Sequence, residues 1–346
     1  TRRLDRASQC ALLAAREAWQ QAGGQALAER VEAERLAVSL SPGMGPVLSV
    51  MQAWDTLRER GARRVLPTAV PALMPNAPAA AVGIELGARA GIHAPVSACA
   101  SGAEAIAYAA DLIALDRADV VVAGGTDAAL HPMTVAAFAA MRALSTRDEE
   151  PATASRPFAP DRDGFVLGEG AGVLVLEAAQ HAAERGARVL AVLAGAGVTA
   201  DAYDVARPEP SGTEQERAIR LALERGGLEP SEVGHVNAHA TSTPVGDIVE
   251  AQVLARVLPT AAVSATKSAT AHLLGGAGGL EAVLTVMALA EAWLPPTLLP
   301  GGIDAEVAAT GIDVVGPDGR AAPGLRAAVS TSFGFGGHDV ALAFTV

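Results

Sequence analysis

Short β-branched runs alternate along the chain with Ala- and Leu-rich stretches, the pattern of layered α/β proteins. The runs predict strands at Leu36–Leu40, His93–Ala98, Asp119–Ala123, Gly172–Leu176, Val189–Leu193, Val233–Asn237, Ala261–Ser264, Ala327–Thr331 and Val340–Val346. The longer stretches predict helices at Ala7–Ala22, Gly102–Leu115, Thr213–Arg225, Asp247–Val257 and Gly278–Ala290. No low-complexity linker separates them.

The order of parts repeats. Leu36–Leu40 runs into a glycine turn as Val233–Asn237 runs into Ala238–Ser242, and Pro95–Cys99 leads to a helix as Ala262–Thr266 does. Asp119–Gly125 matches Ala327–Gly337, strand first and then a glycine loop. The echo is one of order more than of identity, so from the residues alone duplication and coincidence both stand. Under duplication the halves are 1–187 and 188–346. The second opens in a strand and the first in a helix, so a strand–helix unit of roughly 30 residues is expected ahead of Thr1.

Composition narrows the class. At 346 residues, 50% hydrophobic and 18% charged, the chain is a folded protein of two domains or one large duplicated unit. A net charge of −12 argues against sequence-independent nucleic-acid binding. Two cysteines make no disulfide framework, which fits a reducing compartment. The longest uncharged stretch, Val65–Ile84, carries four prolines and does not read as a membrane span, and the opening carries no signal-peptide core. A soluble cytoplasmic protein is the expectation.

Cys99 falls at a strand-to-helix turn, where a helix N-terminus favours thiolate, so it is either a nucleophile or a buried inert thiol. His239 and His272 fall just beyond strands of the second half, either as core histidines or as parts of one cleft at the strand ends. Their spacing and neighbours complete no metal-ligand set, so no metal is expected. Lys267 is the only lysine among 26 basic residues, either a surface lysine or a place that needs a compact ammonium. Glu281 lies in the following helix, where it can pair with Lys267 or face solvent. Ser330–His338 sets glycines, Gly334 and Gly336 among them, around two phenylalanines, either a plain hairpin turn or a source of backbone donors for a ligand.

Taken with Asp119–Asp127, Met141–Arg147 and Arg156–Gly170, these motifs resemble the elongating, type II β-ketoacyl-acyl-carrier-protein synthases over essentially the whole chain. The resemblance implies a thiolase-like duplicated five-layered α/β/α/β/α fold, here without its first strand–helix unit. It implies that Cys99 accepts the acyl chain and that His239 and His272 serve decarboxylation and condensation. Lys267 and Glu281 would be a supporting ion pair. Phe335 would gate the site and lend its amide, with that of Cys99, to an oxyanion hole; Thr241 and Thr243 would contact the pantetheine arm, with Gly334 and Gly336 beside the substrate. The implied reaction lengthens a chain by two carbons with malonyl carrier, in fatty acid biosynthesis, without cofactor beyond the carrier's phosphopantetheine. The implied partners are acyl carrier protein, docked by Arg2, Arg3, Arg63, Arg64 and Arg142, and a second copy of the chain.

The same residues set rivals apart. A thiolase needs a second catalytic cysteine, and Cys10 lies in an early helix outside any matching motif. The initiating synthases use Asn where His272 stands, and a non-catalytic chain-length subunit lacks the nucleophile. Many relatives carry Gly at the positions of Ala240 and Ala271, Met at Ala269, and Asn or Asp at Thr331. These departures bear on substrate range, and they keep open a type II polyketide ketosynthase working with a chain-length partner subunit.

Overall fold

A computed structural model describes residues 4–346; the expectations for Arg2 and Arg3 lie outside it. The described chain forms two compact units. The first takes in the chain up to Thr134, with Gly168–Arg188 and Leu273–Leu280; the second takes in Val135–Leu167, Val189–His272 and Glu281–Val346. The expected boundary at 187/188 falls beside the change of unit at Arg188/Val189. Residues 135–167 group with the second unit, however, and 273–280 with the first.

The first unit is built on β1 (Leu36–Ser41), β2 (Gly91–His93), β3 (Val120–Asp127) and β4 (Gly170–Glu177), in the order β2-β1-β3-β4. β1 runs parallel to β2 and β3, and β4 closes the sheet antiparallel to β3. β1 and β3 are buried along their whole length, as runs of Leu, Val and Ala covered on both faces must be. Helix Arg6–Gln21 packs Ala11, Leu12 and Trp19 against Val38, Leu40, Val120 and Val122. Its N-cap Asp5 accepts the Ala7 N–H at 2.9 Å.

The second unit contains β5 (Val192–Ala200), β6 (Val233–Asn237), β7 (Ala262–Ser264), a ribbon of β8 (Trp293–Leu294) with a later strand, and β9 (Asp313–Val314). The ribbon's second strand is β10 (Arg320–Ala321), and β11 (Ala327–Gly334) and β12 (His338–Thr345) finish the main sheet, ordered β5-β12-β11-β6-β7-β9. β6 is parallel to β7 and β11, and β12 is antiparallel to β11. The set β7-β6-β11-β12 therefore repeats β2-β1-β3-β4 in order and direction. β5, antiparallel to β12, has no counterpart among the described residues of the first unit.

Two predicted strands are displaced along the chain, while others differ only at their ends. The one before Cys99 ends at His93, because Ala94–Ser97 includes Pro95, which has no N–H to give to a ladder. The one opening the second unit runs from Val192 to Ala200 rather than Val189 to Leu193. Its Gly-Ala repeat has little β-propensity, and the reason for it is packing: a Cβ on Gly197 would lie 1.9 Å from the Ala218 carbonyl of helix Thr213–Gly226. Unpredicted helices occupy Val47–Arg60 and Ala77–Leu86. No helix among the described residues is long and apolar enough to cross a membrane.

Candidate active site

In the first unit, Cys99 is buried on a short helical turn, Ala98–Ala100, that feeds helix Ser101–Ala114. The turn is held locally. Ser101 Oγ accepts from the Ser97 N–H at 2.9 Å and donates to the Ala98 carbonyl at 2.7 Å. Ala98 takes a positive φ of 51°, a conformation that a non-glycine residue keeps only when its surroundings impose it. The result places Cys99 at the start of a helix. Cys10 sits half-buried in helix Arg6–Gln21, and burial pushes its thiol up.

In the second unit the parallel strands β6 and β7 end together, as their register pairs Asn237 with Ser264. His239 follows β6 by two residues. Lys267 opens the helical turn after β7, and Glu281 lies in helix Gly275–Glu291. Lys267 and Glu281 are both buried and form an ion pair. Burial pushes Glu281 up to about 7, with the Lys267 ammonium pulling the other way. Lys267 Nζ also lies 3.4 Å from His239 Nδ1. An ammonium only donates, so Nδ1 accepts, and the His239 proton sits on Nε2.

The His239 backbone is fixed from below. Glu250 accepts the N–H groups of His239 at 2.8 Å and Ala240 at 2.7 Å, while Thr331 Oγ1 donates to Glu250 at 2.7 Å. His272 is reached differently: its N–H donates to the Val166 carbonyl at 2.8 Å, and it bridges Leu167. The two imidazoles meet edge to face, centroids 5.5 Å apart, with Phe165 5.3 Å from His272 and Phe333 5.8 Å from His239. Burial, and after it the Lys267 charge, holds both rings well below the ordinary histidine range, so both are neutral at pH 7. Neither ring nitrogen of His272 has a hydrogen-bond partner among the described residues.

Of the residues singled out in the sequence, His239, His272, Lys267 and Glu281 are thus brought together in the second unit. Thr241 and Thr243 follow on the same loop, their hydroxyls 3.2 Å apart. Phe335 lies half-buried on the turn between β11 and β12, flanked by Gly334 and Gly336. Arg63 and Arg64 are exposed neighbours in the first unit, and Arg142 is exposed in the second. Sequence reasoning missed Glu250, Thr331 as its partner, and Phe333. An acid in a helix reads as surface until its burial is known, although Thr331 and Phe333 share one face of β11 by simple alternation. Among the described residues, no group of three or more His, Cys, Asp or Glu is placed to hold a metal ion.

A thiol on a helix-leading turn, two neutral imidazoles and a duplicated α/β topology define a class, the thiolase-like condensing acyltransferases. Sequence comparison gives the family. Residues 1–182 match the β-ketoacyl synthase N-terminal domain and residues 190–299 the C-terminal domain. The chain is 43% identical to a 3-oxoacyl-acyl-carrier-protein synthase 2 of Mycobacterium bovis, over 99% of this chain and 81% of that protein. A β-ketoacyl synthase structure from Burkholderia phymatum matches with a TM-score of 0.90 at 34% identity, covering 100% of this chain and 83% of that one. A ketosynthase in complex with its type II polyketide acyl carrier protein matches with a TM-score of 0.92 at 28% identity, covering 99% and 85%. The chain belongs to the β-ketoacyl synthase family.

Proposed function

We propose that this β-ketoacyl synthase elongates carrier-bound acyl chains by two carbons in fatty acid biosynthesis, with Cys99 as nucleophile and His239 and His272 as the decarboxylation pair. Cys99 attacks the thioester of an acyl carrier; the carrier thiol leaves and the acyl group stays on sulfur. A malonyl carrier then loses CO2, and the electrons of the broken C–C bond move to its thioester oxygen as an enolate. The Nε2–H of His239 and one N–H of His272 donate to that oxygen. A neutral imidazole suits this, since it keeps one ring N–H to donate while carrying no charge that burial would penalise. The enolate carbon attacks the acyl–Cys99 carbonyl, the thiolate leaves, and a 3-oxoacyl carrier departs. The Phe335 turn supplies a backbone amide donor for acyl transfer, and Thr241 and Thr243 contact the pantetheine arm.

The observation that carries the decarboxylation half is His272, a buried ring with no partner at either nitrogen among the described residues, set against an imidazole whose tautomer Lys267 imposes. The chemistry asks for no cofactor beyond the phosphopantetheine that carries the substrates. An acidic carrier is met by Arg63, Arg64 and Arg142, with Arg2 and Arg3 assigned the same role; rim charges of this kind set encounter rate and salt dependence. The working form is a dimer in the cytoplasm. The similarity to a polyketide ketosynthase favours one second reading, a ketosynthase paired with an unequal chain-length subunit, which co-purification of such a subunit would reveal.

Mass spectrometry of the protein incubated with a series of acyl-carrier thioesters tests the reading. The expected adduct is one acyl group on Cys99 and none on Cys10. Acylation elsewhere, or none with any chain, would overturn it.

A further inference from the structure

The turn Phe335–Gly337 is tied to the segment that follows β5. Asp201 donates its N–H to the Gly337 carbonyl at 2.9 Å, and Gly336 donates to the Val205 carbonyl at 3.0 Å. Gly337 is required there: its φ is +74°, and a Cβ would lie 2.6 Å from the Asp201 Cβ. The Asp201 carboxylate is itself aimed, since its Oδ2 accepts the Glu209 N–H at 3.0 Å.

One more contact joins the two sides. Asp339, the second residue of β12, is 1% exposed. Its Oδ2 and the Oδ1 of Asp201 are buried with no donor from any other described group. The register sets Asp339 opposite Thr199 and Asp201 opposite Gly337, so the two carboxyl groups are neighbours on one face of the β5–β12 ladder, where as two carboxylates both would only accept. None of the charged groups acting on Asp339 is a cation. Glu214, at the start of helix Thr213–Gly226, is a second negative neighbour, and the strand partners of Asp339, Phe333 and Thr199, are uncharged. His338 lies on the opposite face of the strand, and His239 stands beyond Phe333 as a neutral ring.

We propose that Asp339 is a positioning residue held as the neutral acid, whose proton, shared with Asp201, latches the Phe335 turn to the segment Asp201–Glu209. Burial, then the Asp201 charge, pushes Asp339 up to about 9, so the latch is closed at neutral pH and opens above it. With the proton gone, two buried like charges repel across the base of the turn. An asparagine at either position replaces the proton with an amide N–H and removes the pH dependence while keeping the hydrogen bond. The link to turnover rests on the proposed function; the shared proton does not.

Two measurements on the full chain separate these. Infrared difference spectra between wild type and Asp339→Asn at pH 7.5 are expected to contain the carbonyl stretch of one protonated carboxyl. The same band is lost in Asp201→Asn and titrates away in wild type with a midpoint about 9. A missing band, or one unchanged by either substitution, overturns the shared proton. The ratio of condensation rates at pH 9.5 and 7.5 is then expected to be about fourfold lower in wild type than in either Asn variant, from the fraction of a pKa-9 acid left protonated. Equal ratios in all three, with the band present, overturn the latch. Loss of condensation in every form would instead count against the proposed function, and the infrared result would still decide the proton.

Discussion

The sheets β2-β1-β3-β4 and β7-β6-β11-β12 share order and strand direction, yet they deliver different chemistry from equivalent places. After β2 the chain makes a strained turn that leads into a helix and presents a thiol. After β7 it makes a turn that buries Lys267 and brings in His272. At the end of β1 stands a glycine turn, whose Gly43 and Met44 amides are held by Asp127 of β3 at 2.8 and 3.2 Å. At the end of β6 stands His239, held through its backbone by Glu250. One topology thus places a thiol at the start of a helix in one unit and two uncharged imidazoles in the other. The difference lies in which charge is placed nearby, since thiol and rings are alike buried. The thiol sits at a helix start, whereas the rings stand beside an ammonium that, after burial, further discourages their protonation.

The largest expected effect comes from breaking the buried Lys267–Glu281 ion pair of the second unit. Lys267→Ala leaves Glu281 buried without its cation and is expected to cost about 3–5 kcal/mol in urea unfolding. Lys267→Met with Glu281→Leu is expected to recover most of that. If the single and double variants unfold alike, the pair is not what holds this site.

A smaller effect follows from keeping histidines neutral. His235, His239 and His272 all lie below their ordinary value, His235 at about 3 because of burial, with its Nε2 3.0 Å from Ser264 Oγ. A base depressed in the folded state takes up its proton first in the unfolded chain. Stability is therefore full above pH about 6.5 and declines as pH falls below it. His235→Gln is expected to reduce that decline by about 1.4 kcal/mol per pH unit, measured by unfolding between pH 6.5 and 5. An unchanged slope would show that His235 takes no part.

The smallest effect concerns Ala271, at φ 58° and ψ −175°, a region that glycine occupies freely and alanine does not. Relief of strain worth about 1–3 kcal/mol is partly offset by the greater freedom of an unfolded glycine. Ala271→Gly is thus expected to stabilise by about 1 kcal/mol, and a destabilised variant would contradict the strain.

Much of this was readable beforehand. β6 runs from Val233 to Asn237 as predicted, because its apolar run is bounded by turn residues on both sides. Cys99 and His239 stood out because small residues surround them, and His272 because it too falls just beyond a strand of the second half. What stayed hidden was whatever depends on long-range packing. The Gly-Ala alternation of β5 exists for a helix packed against it, and Glu250 looks like a surface acid until two backbone amides are found on it. Helix Val47–Arg60 was legible and missed: Val47, Val50, Met51, Trp54 and Leu57 recur at helical spacing, although only Val47 is buried. The exchange of residues 135–167 and 273–280 between units is a matter of contacts, which a reading by contiguous halves does not reach.

The central claim is a division of labour between thiol and imidazoles, and crossed variants measure it directly. With acyl and malonyl carriers supplied separately, Cys99→Ala is expected to lose the acyl adduct and still release CO2 from malonyl carrier. His239→Ala and His272→Ala are expected to keep the adduct and to lose decarboxylation by about 100-fold or more, the usual effect of removing one donor to a developing oxyanion. If Cys99→Ala stops CO2 release as fully as the histidine variants do, or if those variants decarboxylate normally, the division is wrong.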